Sequence, residues 1–307
     1  MRNADRQSCA VLPLEETIMK PHRIDAHQHF WFYQPDAYPW IGRGMELLAC
    51  DRTPGQLQPV LVAEGLEQSI AVQARAGRDE TEFLLDLAGG NRRIAGVVGW
   101  EDLASPHLAA NVERWGSDKL VGFRHQLQDE ADISAFVEAP AFNTGIGWLQ
   151  RRGLVYDVLI YARQMPEVQA FCARHDRHWL VLDHLGKPAL ADFGKSEAVF
   201  ADWKRHLRAL AALPHVACKL SGLVTEADWQ RGLRQKDYDN IVLCLDAALD
   251  AFGPQRLMFG SDWPVCLLAA SYAKVAAVVR EWAATRLSAS EQEQLWGQTA
   301  ARCYGLG

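Results

Sequence analysis

The sequence contains no pair of cysteines at the close spacing of a zinc knuckle or a redox motif. Its seven cysteines are scattered singly along 307 residues, and their number is odd. Small secreted domains that depend on disulfides typically carry an even number of cysteines instead. We therefore expect reduced thiols, in the core or at the surface, as in a protein of the cytoplasm.

Long apolar runs and blocks of basic residues are also missing. No stretch reaches the roughly 20 apolar residues of a membrane-spanning helix, and the N-terminus lacks the apolar run of a signal peptide. The net charge is −6, and lysine and arginine do not cluster. We therefore expect neither nucleic acid nor a membrane as a partner. The sequence leaves the oligomeric state open.

The composition divides the chain into a short extension and one domain. Residues 1–20 are polar and show no periodic pattern, which predicts a flexible N-terminal extension. The whole chain is 49% hydrophobic and 23% charged, as in a globular protein. Because neither a low-complexity linker nor an internal repeat interrupts it, we predict a single domain over residues 21–307.

Eight short apolar runs alternate with longer segments that have helical periodicity. Continuous runs of valine, isoleucine and leucine are typical of strands covered on both faces, as in a parallel sheet. Most intervals leave room for one crossover helix. Eight β–α units favour the α/β class and a (β/α)8 TIM barrel over a doubly wound sheet. The predicted strands are 23–31, 69–73, 94–100, 120–124, 154–159, 179–183, 215–220 and 256–260.

A barrel of this kind carries its functional residues at the carboxyl ends of the strands. The first predicted strand ends in two histidines, His27 and His29. Strict alternation places Asp25 on their face, and Ile24 and Ala26 on the opposite face. Two imidazoles at a strand end can hold a metal or polarise a substrate oxygen. The candidates near the ends of the other strands are Gln73, Arg124, Tyr156, His184, Lys219, Ser221, Asp262 and Trp263.

Six segments together resemble the lactonase branch of the amidohydrolase superfamily, to which pyrone-dicarboxylate hydrolases are more distantly related. The resemblance extends from Arg23 to the C-terminus, in the order and with the spacing of the family. It implies a (β/α)8 barrel that hydrolyses an ester or amide with an activated water. The segments are RIDAHQHFW at 23–31, YPWI at 38–41, GFRHQLQ at 122–128, LDHLGKP at 182–188, CKLSGL at 218–223 and FGSDWPV at 259–265.

The resemblance carries over to individual residues. His27 and His29 match the histidine pair of strand one, and Asp262 matches the aspartate of strand eight. His184 matches the histidine after strand six, and Arg124 matches the arginine of the GFRH segment. These matches imply a site built from four different strands.

The resemblance also has departures that bear on the metal. Superfamily members with two metals use a carboxylated lysine or a glutamate on strand four and a histidine on strand five. Here those places hold Arg124-His125 and Tyr156-Asp157, so we do not expect a binuclear centre. Two alternatives remain, a metal-independent site and one divalent ion, with Zn²⁺ preferred. The ligands for a single ion would come from His27, His29, His184 and Asp262.

Lactone hydrolysis needs a base, a stabiliser of the oxyanion and an acid. We predict that Asp262 is the base, since an unperturbed aspartate has a pKa of about 3.9 and is ionised at neutral pH. Once protonated, it can return the proton to the departing ring oxygen. His184, His29, Arg124 or a metal could stabilise the oxyanion. The predicted substrate contacts are Trp31, Gln73, Arg124, Tyr156 and Trp263, because indole rings suit a sugar face and polar groups its hydroxyls.

Three functions follow from these residues and the resemblance. The preferred one is hydrolysis of a sugar lactone such as L-fuconolactone, by a carboxylic-ester hydrolase of L-fucose catabolism. The second is a pyrone-dicarboxylate-type lactone hydrolase or a metal-dependent decarboxylase. The former would need several converging arginines, and the latter a histidine on strand five. The third is a non-catalytic barrel that binds a sugar acid.

Overall fold

The computed structural model describes residues 22–193 and 195–306. Within these ranges, eight parallel strands form one sheet in sequence order. A bridge between Gln28 and Trp263 brings the first and last strands together, so the barrel is nearly closed. The predicted single-domain (β/α)8 TIM barrel is confirmed, whereas the predicted extension, residues 1–20, lies outside the described residues. The strands are β1 (Ile24–Gln28), β2 (Gln68–Val72), β3 (Ile94–Gly99), β4 (Leu120–His125), β5 (Val155–Val158), β6 (Leu180–Leu182), β7 (Val216–Leu220) and β8 (Leu257–Phe259).

At least one helix follows each strand, as parallel neighbours require. Two helices follow β4, and two more follow the helix after β8. No helix in the described part of the chain is long and apolar enough to cross a membrane. The helices are α1 (Pro54–Ala63), α2 (Arg78–Gly90), α3 (Leu108–Glu113), α4 (Ile133–Glu138), α5 (Pro140–Arg151), α6 (Met165–Arg174), α7 (Glu197–Ala211), α8 (Gln235–Phe252), α9 (Tyr272–Arg286), α10 (Ala289–Glu293) and α11 (Thr299–Tyr304), with a π-helical turn at Gln294–Gln298.

Local signals set the ends of several helices. The side chain of Ser271 caps α9 by accepting the backbone N–H of Lys274. Ser288 and Glu291 form a capping box at the start of α10. Helix α8 ends at Phe252, and the next residue, Gly253, has a φ of +67°, which glycine adopts at little cost. The Ser271 cap thereby ends the loop that follows β8 at the barrel mouth.

The core has two layers, one inside the barrel and one between the sheet and the helices. Helix α11 contributes three buried side chains to the inner layer, which we call the interior cluster. Since α11 fills the barrel interior near the start of β1 and β8, the opposite end is left for the site. The interior cluster consists of Ile24, Ala26, Ile70, Val72, Val98, Val121, Val155, Val181, Ala217, Met258, Ala300, Cys303 and Tyr304.

Strand β1 does not alternate strictly. Its register with β2 shifts between Asp25 and Gln28, as at a β-bulge. Ile24 and Ala26 therefore pack in the interior cluster. The Asp25 carboxylate instead accepts a hydrogen bond of 3.0 Å from the hydroxyl of Tyr272 in the outer helix α9. The prediction that Asp25 shares the face of the two histidines, with Ile24 and Ala26 opposite, was wrong because of this irregularity.

Candidate active site

Five side chains singled out in the sequence meet at the carboxyl ends of four strands. The backbone holds two of these strand ends together, because the Asp262 N–H donates to the His27 carbonyl at 2.9 Å and the His29 N–H to the Trp263 carbonyl at 2.7 Å. All five side chains belong to residues that are at most 5% exposed. They come from β1 (His27, and His29 just after it), β4 (Arg124), the turn after β6 (His184) and the turn after β8 (Asp262).

The ring of His29 is oriented by the backbone of the neighbouring strand. Its Nδ1 atom lies 2.8 Å from the carbonyl oxygen of Val72. A carbonyl only accepts hydrogen bonds, so Nδ1 carries a proton and donates. The other nitrogen, Nε2, lies 3.2 Å from Nε2 of His27 and 3.4 Å from Oδ1 of Asp262. Nε2 of His29 therefore faces the centre of the site.

The ring of His27 is oriented by a buried carboxylate. Its Nδ1 atom lies 3.2 Å from Oδ1 of Asp183. The ammonium of Lys219 is also 3.2 Å from this nitrogen, but its protons have better acceptors in Asp157 and Asp183. We therefore assign the Nδ1 proton to the contact with Asp183, which leaves a lone pair on Nε2. That nitrogen lies 3.7 Å from Oδ1 of Asp262.

Asp183 also fixes the arginine. Its Oδ2 atom accepts a hydrogen bond of 2.9 Å from Nη1 of Arg124, while Nη2 of Arg124 donates to the Gln73 carbonyl. Burial opposes ionisation of Asp183, but Lys219, His27 and Arg124 hold its pKa well below the usual range. Asp183 is therefore an ionised carboxylate at the floor of the site, bound to groups on three sides.

His184 and Asp262 both have left-handed backbones, with φ of +53° and +58°. Side chains other than glycine rarely adopt this conformation, and such residues concentrate at functional sites. Leu185 and Lys187, on the same turn as His184, are also left-handed. This backbone turns the two side chains into the site, where Nε2 of His184 lies 4.0 Å from Oδ1 of Asp262.

A glycine makes room for the His184 ring. Gly222 follows β7 and has a φ of +69°. A Cβ atom at this position would lie 2.6 Å from Nδ1 of His184, which is closer than real contacts allow. The same nitrogen is 2.8 Å from the hydroxyl oxygen of Ser221. The loop after β7 thus leaves space for the ring and supplies a hydrogen-bond partner for its Nδ1 atom.

Burial sets the charges of the site. It lowers the pKa of His184 to about 4, and the pKa of His27 well below the usual value. Both rings are therefore neutral at neutral pH. Burial would raise the pKa of Asp262, but the imidazoles of His184, His29 and His27 outweigh it and keep this pKa below the usual range. The site thus holds an ionised carboxylate beside neutral imidazoles.

The inward-facing atoms form a possible metal-ligand set. Nε2 of His27, Nε2 of His29 and Oδ1 of Asp262 are separated by 3.2, 3.4 and 3.7 Å. With metal–ligand distances of about 2.0–2.1 Å, tetrahedral ligands lie roughly 3.3 Å apart. Lone pairs that face one another at such distances repel unless they share a cation, either a proton or a metal ion. The competing cation is Arg124, whose Nη1 is 3.3 Å from Nε2 of His27.

The predicted substrate-contact residues do not all point into the site. Gln73 is buried beside the site, where its side-chain N–H donates to the Arg124 carbonyl at 3.2 Å. Trp31 is fully buried in the loop after β1 and donates its indole N–H to the Cys50 carbonyl at 2.9 Å. Trp263 packs edge-on against Phe30. Gln73 therefore supports Arg124, and the two indoles serve packing.

Tyr156 is not brought to the site. Its side chain points out of the barrel and packs between Phe142 and Phe171 of the outer helices. The reason is alternation, because its neighbour Asp157 points inward to Lys219. The placement of Tyr156 among these aromatic rings leaves no path from its hydroxyl to the barrel mouth.

Sequence reasoning missed the charged network beneath the histidines. Asp157, Asp183 and Lys219 are all 0% exposed. Lys219 lies between the two carboxylates, 3.0 Å from Oδ1 of Asp183, and the hydroxyl of Tyr304 donates to Asp157 at 2.7 Å. A signal was available, since charged residues within otherwise apolar strands are rarely buried unless they are paired.

The chain belongs to the amidohydrolase family, whose model matches residues 24–306. The L-fucono-1,5-lactonase of Burkholderia multivorans is 66% identical over 284 residues, which is 92% of this chain and 96% of the relative. An L-fucono-1,5-lactonase of Burkholderia ambifaria is 38% identical over 81% of this chain and 83% of its own length. The resemblance seen in the sequence is thereby confirmed.

A solved structure supports the same family assignment. The crystal structure of an amidohydrolase from Burkholderia multivorans with bound Zn superimposes with a TM-score of 0.91 at 65% identity. The match covers 93% of this chain and all of the compared chain. The barrel described above is therefore the fold of this family.

Proposed function

We propose that this enzyme hydrolyses a sugar 1,5-lactone, with L-fucono-1,5-lactone as the first candidate substrate. The observation that carries this proposal is the pairing of an ionised Asp262 with the neutral ring of His184 across 4.0 Å. A lactone is already a reactive ester, so one base and one hydrogen-bond donor suffice to activate water and carbonyl. The two L-fucono-1,5-lactonase relatives support the choice of substrate.

In the first step, Asp262 removes a proton from a water molecule. The resulting hydroxide attacks the lactone carbonyl carbon, and the carbonyl oxygen takes up the negative charge. The N–H of a neutral imidazole can stabilise that charge when its other nitrogen accepts a hydrogen bond. Ser221 supplies such a bond, because its hydroxyl can donate to Nδ1 of His184 across 2.8 Å. His184 is thus the proposed oxyanion donor, through Nε2.

In the second step, the bond between the carbonyl carbon and the ring oxygen breaks. Asp262 returns its proton to the departing ring oxygen, and the open-chain sugar acid is formed. The acid then ionises in water and releases one proton per turnover. Arg124, held by Asp183, adds a fixed positive charge beside the reacting groups.

We further propose that His27, His29 and Asp262, with His184 nearby, can hold one divalent ion such as Zn²⁺. When bound, the ion would supply Lewis-acid polarisation of the carbonyl. The second nitrogens support this assignment, since Nδ1 of His27 lies 3.2 Å from a carboxylate oxygen and Nδ1 of His29 donates to a carbonyl. The metal-independent alternative places a proton among the same atoms, and the metal content of the purified protein decides between them.

We assign the reaction to sugar-acid metabolism, in particular to the breakdown of L-fucose, and its place to the cytoplasm. The supporting observations are the lactonase relatives and the scattered, unpaired pattern of the cysteines.

The test is acid release, followed with a pH indicator, from a panel of lactones. The panel contains 1,5- and 1,4-lactones of several six-carbon sugars and 2-pyrone-4,6-dicarboxylate. We expect turnover of the sugar lactones, with a preference for the L-fucono configuration, and none of the dicarboxylate. Absence of acid release from every sugar lactone, by protein with an intact thermal transition, would refute the proposal. Elemental analysis before and after chelation reports the metal separately.

A further inference from the structure

Three side chains that the mechanism does not use lie together at the barrel mouth. Tyr161 follows β5, Lys187 follows β6, and Glu226 follows β7. The Lys187 ammonium is 5.2 Å from the centre of the Tyr161 ring and 4.0 Å from Oε1 of Glu226. The side chains of Lys187 and Glu226 are only 18% and 20% exposed. The group is therefore partly desolvated and open on one side.

This pair has hydrogen-bonding capacity that the protein leaves unused. A separation of 4.0 Å is too long for a hydrogen bond between Lys187 and Glu226. Within residues 22–193 and 195–306, neither charged group makes another side-chain or backbone hydrogen bond. An ammonium offers three donors and a carboxylate several lone pairs. Groups of this kind, held a short distance apart, can bind a ligand that both donates and accepts.

The pair lies beside the groups proposed for catalysis. Lys187 is three residues after His184 on the same left-handed turn. The turn that carries Glu226 packs against the turn that follows Asp262. Burial raises the pKa of Glu226, and the nearby Asp262 raises it further while Lys187 opposes both. The pair therefore lies within electrostatic reach of the proposed catalytic carboxylate.

The charges around this group balance. Two cations, Lys187 and Arg163, face two carboxylates, Glu226 and Asp129. The Arg163 guanidinium lies 4.5 Å from the centre of the Tyr161 ring, and both carboxylates are near enough to raise the pKa of that tyrosine. A dicarboxylate would meet a carboxylate as well as cations here. An uncharged, hydroxyl-bearing ring would meet one donor and one acceptor. The electrostatics thus favour hydroxyl groups.

We propose that Lys187 and Glu226 form a hydroxyl-recognition subsite that binds neighbouring ring hydroxyls of the lactone, and that Tyr161 positions the Lys187 ammonium. The ammonium donates to one hydroxyl oxygen, and the carboxylate accepts the proton of the next. The inference rests on the proposed lactonase function and names the residues that select its substrate class. Lys187 and Glu226 are then specificity residues, and Asp262 and His184 act on the carbonyl alone.

The test compares two lactones that share a six-membered ester ring. L-fucono-1,5-lactone carries ring hydroxyls, whereas δ-valerolactone has none. We expect Lys187→Met and Glu226→Gln each to lower kcat/KM for the sugar lactone by about 10- to 100-fold, the loss expected for a hydrogen bond to a charged group. For δ-valerolactone the change should stay within about twofold. Lys195→Met, which alters an exposed lysine of the loop after β6, should change neither value.

A binding measurement keeps this test independent of turnover. The 1,5-lactam with the hydroxyls of L-fuconate and the hydroxyl-free piperidin-2-one replace the two lactones in titration calorimetry. Weaker binding of the hydroxylated lactam alone, in both variants, supports the subsite even if the parent hydrolyses no lactone and the proposed function fails. Equal losses for both ring types, or no loss for either, overturn the subsite.

Discussion

Nδ1 of His27 lies 3.2 Å from Oδ1 of Asp183, and this contact determines which nitrogen of His27 faces the site. The ionised carboxylate favours a proton on Nδ1, which leaves a lone pair on Nε2. The same carboxylate holds Arg124 through its other oxygen at 2.9 Å. One buried group therefore orients both a histidine and the positive charge beside it.

Replacement of Asp183 by asparagine should disable the site without removing the side chain. The amide N–H of Asp183→Asn can donate to Nδ1 of His27, which would shift the ring proton to Nε2. We expect kcat/KM to fall by about 100-fold or more, and calorimetric Zn²⁺ affinity by about 10- to 100-fold. Unchanged Zn²⁺ affinity and activity within about threefold of the parent would remove Asp183 from this role.

A methyl group at Gly222 should displace His184. The Cβ of Gly222→Ala would lie 2.6 Å from Nδ1 of His184, whereas a Cβ at Gly305 meets no atom within 4 Å. Both glycines have left-handed backbones, with φ of +69° and +62°, so each alanine costs about 1–2 kcal/mol of stability through its backbone. We expect only Gly222→Ala to lower kcat/KM, by about 100-fold. Equal kcat/KM for the two variants would contradict the steric argument.

His175 should make the fold sensitive to acid. Burial lowers its pKa from 6.5 to about 4, assisted by Arg174 and His215 and opposed by Asp176. Below pH 6.5 the unfolded chain binds a proton that the folded protein refuses until about pH 4. The stability from this group is therefore complete above pH 6.5 and is lost as the pH falls toward 4.

Calorimetric Tm values between pH 7 and pH 4.5 measure this loss. We expect His175→Gln, which removes the titrating ring and retains a donor toward Asn143, to reduce the fall in Tm with acidification. The Tm of the matched variant His206→Gln, on the outer helix α7, should fall with acidification as the Tm of the parent does. Parallel curves for His175→Gln and the parent would show that His175 does not contribute.

The contact between the last helix and the charged network should contribute to stability. The Tyr304 hydroxyl donates to the buried carboxylate of Asp157 at 2.7 Å. We expect Tyr304→Phe to lower the free energy of unfolding by about 1–3 kcal/mol, because Asp157 loses a partner in a buried place. Urea unfolding provides the measurement. A loss below about 0.5 kcal/mol would mean that Lys219 alone satisfies Asp157.

The strands were predictable because each is a short apolar run buried on both faces. The grouping of the candidate site residues was predictable for a related reason, since β1, β6 and β8 deliver His29, His184 and Asp262 to one end of any such barrel. The direction of the Asp25 side chain was not predictable, because a register shift between two strands is not visible in the alternation of a single strand. Local sequence encodes which segments pair, and pairing details arise only on assembly.

The buried network and the aromatic contacts were harder for a different reason. Asp157, Asp183 and Lys219 come from three strands, and only the closed barrel shows that their charges neutralise one another. Tyr156 was a predicted substrate contact because it carries an aromatic ring and a hydroxyl, but the alternation of side chains along β5 directs it out of the barrel. Residue type predicts chemistry, whereas the direction of a side chain depends on its neighbours.

In the proposed mechanism, Asp262 is both the base and the acid of lactone hydrolysis. The most direct measurement compares kcat for L-fucono-1,5-lactone between the parent and Asp262→Asn, with Tm and binding of the 1,5-lactam as controls. We expect kcat to fall by about 10²- to 10⁴-fold while Tm and lactam binding stay close to those of the parent. An Asp262→Asn enzyme that retains kcat within about threefold of the parent would show that Asp262 is neither the base nor the acid.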